Sequence, residues 1–241
     1  MTLLEPVSST TPRPLRATVL HQQWRDVVFL HWRVDPDLVR PLLPAGTEPD
    51  VLDGATYVGL IGFRMVGLGF FSRPAVPYFG TFGEINVRLY ATDAQGRRSV
   101  VFASLDADRL VPVLAARGAL ALPYMWSRIL AEHDGDQVGY RSERRWPRGG
   151  ATTDFGVRVG GPIAEPTPEQ AFVTARWGLH TRAFGATRHL SNSHPAWPLH
   201  DAELTRLDDG LVAAAGLTVE GPPTSVLYAP SVPVRFGPAR S

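Results

Sequence analysis

The stretch EINVRLYA, residues 84–91, alternates polar and apolar side chains along its length. Successive side chains of a strand point to opposite faces. Glu84, Asn86 and Arg88 therefore share one face, and Ile85, Val87 and Leu89 the other. Two arrangements satisfy this pattern. Pointing outward, the polar face is an ordinary solvated strand surface. Pointing into a closed barrel, where either face can be the inner one, it brings a carboxylate, an amide and a guanidinium together in an apolar chamber. There Arg88 would bind a substrate carboxylate, with Asn86 beside it, and Glu84 would act as base or acid.

Working outward, DVVFLHWRV (26–34), TYVGLIGFRM (56–65) and SVVFAS (99–104) are β-branched or aromatic runs that suit strands. Ser127–His133 and Gln137–Arg144 flank Asp134-Gly135-Asp136, a turn signal that predicts a hairpin, and Asp208-Asp209-Gly210 suggests a second. The 23 Gly and 22 Pro punctuate the chain into many short segments. Three helices have start signals. Asp35-Pro36 opens one over Asp37–Leu43, Asp106 caps one through Asp108–Ala119, and Thr167 with Gln170 forms a capping box for one reaching about Trp177. The expected fold is α+β but β-rich: a mostly antiparallel sheet, closed or nearly closed, with two or three short helices on it. Residues 1–14 read as a loose arm and 15–241 as one domain.

Composition removes whole classes of chemistry. There is no Cys, so disulfides, thiolate metal sites and a cysteine nucleophile are excluded. All 24 basic residues are Arg, so no side-chain amine exists for a Schiff base, a pyridoxal phosphate anchor or a Walker lysine. A net charge of +1 gives no field that implies nucleic acid or an anionic membrane. No apolar run approaches the roughly 18 residues of a membrane span. The expectation is a cytoplasmic protein with a small-molecule ligand, no nucleic-acid or membrane partner, no cofactor, and possible homo-oligomers.

Six strings, FLHWRVDPDLVRPLLP (29–44), FGEINVRLYA (82–91), FASLDAD (102–108), LPYMW (122–126), TARWGLH (174–180) and HPAWPL (194–199), together resemble the YqjF-like bacterial family DUF2071. That resemblance covers roughly residues 18–235 and implies the acetoacetate decarboxylase-like fold, a cone-shaped, largely antiparallel β-barrel around an apolar cavity. Acetoacetate decarboxylases carry Gly-Arg-Glu followed, six residues after the Arg, by a Pro and the catalytic Lys. This chain has Arg117-Gly118 and then Pro123-Tyr124 at that spacing. The resemblance thus places Tyr124 where the Schiff-base lysine stands and Gly118 where the glutamate stands. Iminium decarboxylation is not expected; a tyrosine hydroxyl would instead donate a hydrogen bond or a proton to a carbonyl oxygen.

Further candidates carry competing explanations. Arg117 either terminates the Asp108–Ala119 helix as a cation at its negative end or binds ligand. Arg176 either pairs with Glu165 or Glu169 or holds an anion. In His194-Pro195-Ala196-Trp197-Pro198, the residue before proline is driven extended, which would present His194 at a cavity mouth as a near-neutral proton-transfer group or leave it hydrogen-bonded within the loop. His180, His189, His194 and His200 have spacings that match no helical metal motif, so no metal is expected. Of the six Trp, most should be core, with Trp126 the ring assigned to an apolar ligand. The sequence points to noncovalent acid–base chemistry on a carbonyl or carboxylate compound, of lyase, dehydratase, cyclase or isomerase type, with Glu84, Tyr124 and His194 as reacting groups. A non-catalytic binding or sensing protein with the same cavity is the alternative.

Overall fold

The computed structural model describes residues 3–110, 114, 118, 121–183 and 185–240. Twelve strands form one sheet. They are β1 (Leu20–Val34), β2 (Thr47–Pro49), β3 (Thr56–Phe70), β4 (Phe82–Asp93), β5 (Arg98–Ala107) and β6 (Tyr124–Asp134). The second half supplies β7 (Gln137–Trp146), β8 (Thr152–Pro162), β9 (Gly178–Ala183), β10 (Ala186–Ser193), β11 (His200–Asp209) and β12 (Ser225–Arg240). All pairings are antiparallel except β5 with β6 and β5 with β9.

Hydrogen-bonded neighbours return to their starting strand. One circuit runs β12-β1-β3-β4-β5-β9-β10 and back to β12; a second runs from β5 through β6, β7, β8 and β11 to β12. Strands β1, β3 and β4 belong to both circuits, so each lies between two cores. Val27, Phe29, Ile61 and Phe63 face one core, while Val28, Leu30, Val58 and Leu60 face the other. The alternation of residues 84–91 therefore has a third solution: both faces are interior. Ile85, Val87 and Leu89 pack into the second core with Tyr140 and Phe155, and Glu84, Asn86 and Arg88 are turned toward the first. A bulge keeps β1 in phase: Asp26 takes a positive φ of 54° at a register shift, so both Trp24 and Val27 serve the first core.

The strand runs all appear, longer than their β-rich centres. The Asp134–Asp136 hairpin forms, with Gly135 at φ 59° and Asp134 opposite Gln137. The second expected hairpin does not. Asp209 instead accepts hydrogen bonds from the Leu211 and Val212 amides, opening a short helix, α3 (Leu211–Ala214). Asp35 caps α1 (Pro36–Val39), which tightens to a 3₁₀ turn over Arg40–Leu42. The Thr167–Gln170 capping box is present on α2 (Pro168–Thr174), shorter than expected because the chain leaves the helix at Ala175. Most of the Asp108–Ala119 helix lies outside the described residues. No residue from 3 to 19 is in a helix or strand. That segment is nonetheless tied down: the Glu5 amide donates to Gly96 (2.9 Å), and the Trp177 indole donates to the Ser8 carbonyl (3.1 Å). Among the described residues, no helix is long and apolar enough to cross a membrane.

The doubly buried wall leaves no room at Gly62, where a Cβ would lie 2.6 Å from the Tyr140 ring and 2.7 Å from Phe155. Gly62→Ala is expected to destabilise the fold by about 1–3 kcal/mol through overpacking, read as a lower urea midpoint at unchanged slope.

Candidate functional site

Each strand of the first circuit contributes to the wall of one interior cavity. Trp24 and Phe29 come from β1, Ile61 and Phe63 from β3, Val100 and Phe102 from β5, Leu179 from β9, Asn192 from β10 and Phe236 from β12. Strand β4 supplies Glu84, Asn86 and Arg88, and Thr174, Arg176, His194 and Trp197 close one side. The space is small, about 40 Å³, enough for roughly three waters.

Glu84 is 3% exposed, and the Tyr124 hydroxyl donates to its Oε2 at 2.8 Å. Burial pushes the Glu84 carboxyl up to about 7; hydrogen bonds from Tyr124 and Asn86 oppose the rise, and the nearby Asp106 charge adds to it. Burial, and then the Glu84 charge, hold Tyr124 well above the usual tyrosine range. Tyr124 is not among the cavity-lining residues, so the structure places its hydroxyl on Glu84 rather than on the cavity floor.

Arg88 crosses the cavity wall toward α2. Its Nε donates to the Tyr90 hydroxyl (2.9 Å) and its Nη2 to the Val173 carbonyl (2.8 Å). His31 Nε2 meets the same Tyr90 hydroxyl at 2.7 Å. Gly59 makes this crowding possible, since a Cβ there would lie 3.1 Å from His31 and 3.2 Å from Arg88. Among the described residues, Arg88 has no carboxylate within 4.0 Å. A buried guanidinium held only by neutral acceptors is a costly arrangement.

Arg176 lies beyond the end of α2 and pairs with neither Glu165 nor Glu169. Its Nη1 binds Asp50 Oδ2, its Nε donates to the Phe172 carbonyl (2.8 Å), and the guanidinium packs 4.2 Å from the Phe172 ring centroid. Asp50, 2% exposed, is shared with Arg98, whose Nη1 donates to both carboxylate oxygens at 2.7 and 2.8 Å. His194 is buried rather than at an open mouth. It stacks on Trp177 at 4.3 Å, and desolvation pulls it down to about 4, so at neutral pH it is an uncharged imidazole and not the near-neutral titrating group expected. Trp126 is not among the residues lining the cavity, and Arg117 lies outside the described residues. No metal-ligand cluster occurs among the described residues.

The structure thus brings Glu84, Asn86, Arg88, Arg176 and His194 into one cavity and attaches Tyr124 to it through Glu84. Sequence reasoning missed Asp50, Trp24 and Asn192. A signal for the last was present: the chain has only two Asn, and both line this cavity.

A largely antiparallel sheet that returns on itself around an interior cavity matches the acetoacetate decarboxylase-like fold. The solved acetoacetate decarboxylase of Legionella pneumophila superposes with a TM-score of 0.65 at 13% identity, covering 96% of this chain and 92% of that one. The enduracididine biosynthesis enzyme MppR complexed with pyruvate gives a TM-score of 0.60 at 18% identity, over 95% of this chain and 92% of that one. The DUF2071 family model, described as an uncharacterized conserved protein, matches residues 21–233. YqjF of Bacillus subtilis (strain 168) is 30% identical over 223 residues, covering 92% of each chain. The chain belongs to the DUF2071 family.

The raised Glu84 carboxyl sets a pH dependence of stability. The folded chain holds this proton more tightly than the unfolded one. The favourable contribution is therefore complete below about pH 4.5 and is lost as pH rises through about 7. That loss amounts to about 3 kcal/mol. Glu84→Gln is expected to remove it, so that the variant gains on the native chain between about pH 5 and about pH 8 in urea denaturation followed across that range.

Proposed function

We propose that this protein is an enzyme that acts on a small carbonyl or carboxylate compound by noncovalent acid–base chemistry. The observation that carries the reading is Glu84: a carboxyl facing a cavity with two arginines, poised at about 7 by burial and held by Tyr124. A general base works best when its pKa lies near the operating pH. With the ligand's anionic group against Arg88 and Arg176, the Glu84 carboxylate removes a proton from the carbon beside a carbonyl. The electron pair of that C–H bond forms the C=C bond as the carbonyl pair moves onto oxygen, giving an enolate and a protonated Glu84, and Glu84, after exchange with solvent, returns a proton to the carbon. Tyr124 orients Glu84 and limits how far its pKa rises. The chain holds no lysine, so no iminium forms on a side chain. The relative solved with pyruvate supports a short oxo acid as the first probe. A second reading, a non-catalytic binding protein, is favoured only by the small volume of the cavity.

Solvent-deuterium exchange into the methyl group of pyruvate, followed by proton NMR, separates the two. Exchange by the native chain is expected, with a loss of about 10²- to 10⁴-fold in Glu84→Gln. Tyr124→Phe is expected to shift the pH–rate profile upward, because the donor that lowers the Glu84 pKa is gone. Pyruvate that binds without exchanging at any pH leaves the binding protein as the correct account.

A further inference from the structure

Strand β5 changes neighbours partway along one edge. Val100 and Val101 pair with Leu179 and His180 of β9, whereas Leu105–Ala107 pair with Tyr124–Trp126 of β6. Among the described residues, Phe102, Ala103 and Ser104 pair with neither strand. The other edge carries a matching irregularity: Val87 of β4 stands opposite Ser104 and Arg88 opposite Phe102, which leaves Ala103 as the extra residue of a β-bulge. A bulge bends its strand and re-aims the side chains beyond it. Val100 and Phe102 before it, and Leu105 and Ala107 after it, all pack with the first core, which unbroken alternation forbids.

The fork between β9 and β6 holds a surface hollow of about 260 Å³, whose lining includes Phe102, Leu122, Pro123, His180 and Arg182. Phe102, half-buried, also lines the interior cavity. One residue therefore borders both spaces, and its register partner Arg88 lines the cavity beside it. The other strands of this circuit are backed or paired: β1, β3 and β4 carry the second core behind them, and β10 is hydrogen-bonded to both β9 and β12. Trp24 and Trp197, also half-buried at the cavity, stack at 5.9 Å, and the Trp197 indole donates to the Thr174 carbonyl at 3.0 Å. Phe102 has no such ring partner or tether among the described residues.

We propose that this fork is the port of the cavity and Phe102 its gate: displacement of the ring joins the cavity to the outer hollow, and small molecules enter there. The proposal rests on the reading that the cavity takes a small organic compound, and it supplies the room that reading needs. Closed, the cavity has about 40 Å³, space for roughly three waters and too little for pyruvate. With the ring displaced, the space beside Arg88 becomes continuous with the larger hollow, so the size of the side chain at 102 sets the size of what is admitted.

The chain has no Cys, so one introduced thiol reports access to the cavity. Ile61 lines it from β3, whose other face is covered by the second core, which makes a thiol in Ile61→Cys reachable through the cavity. Labelling of that full-length variant by methyl methanethiosulfonate is followed by intact-protein mass spectrometry. Adding Phe102→Ala is expected to speed labelling about tenfold or more, because the closed state no longer has to open locally, and Phe102→Trp to slow it. Phe102→Leu is expected to give an intermediate rate and decides the matter if the alanine variant does not fold. Trp197→Ala is the competing route. Labelling unmoved by any change at Phe102, or sped by Trp197→Ala alone, overturns the port. The readout needs no natural ligand, so a failed port leaves the acid–base reading to the deuterium-exchange test, and absent exchange leaves the port standing.

Discussion

The constraint on which the rest depends is that β1, β3 and β4 are walls between two cores. A strand buried on one face can place polar residues in water; a strand buried on both cannot. Every polar side chain on β4 must therefore find protein partners or open onto an interior space. Glu84 finds Tyr124, Arg88 finds Tyr90 and the Val173 carbonyl, and the Asn86 side-chain oxygen has no partner among the described residues. The chemistry of the site follows from polar residues kept in a position where an ordinary β protein would have only Val, Ile and Leu.

The same wall explains the electrostatics. Burial pushes the Glu84 carboxyl up and pulls His31 and His194 down, so desolvation is the leading cause of all three shifts. At His31 neighbouring charges act second, Arg88 and Arg176 pressing it further down, whereas at Glu84 and His194 hydrogen bonds come second and oppose the shift. Asp50 does the opposite work for Arg176, holding one side of its guanidinium so that Nη2 remains directed elsewhere.

Much of the fold was legible because strand runs rich in β-branched and aromatic residues and one Asp-Gly turn carry local signals. The grouping of Glu84, Asn86 and Arg88 was legible from period-two alternation alone. Which way that face points was not, since sequence patterning offers inside or outside and this topology makes both faces inside. The Arg176 partner was illegible for a related reason. Asp50 is 126 residues away in sequence, while Glu165 and Glu169 are near neighbours, and only the closed sheet brings the distant carboxylate within reach. Asp208-Asp209-Gly210 misled because the same residues that make tight turns also cap helices.

The exclusive use of arginine has a consequence for how the chamber responds to its surroundings. Guanidinium keeps its proton at any pH the fold survives, and the two imidazoles at the site are already discharged in neutral solution. The interior field is thus a fixed background, varied by whether one carboxyl holds a hydrogen. Protonation of Glu84 on acidification would make the chamber more positive by a single unit of charge.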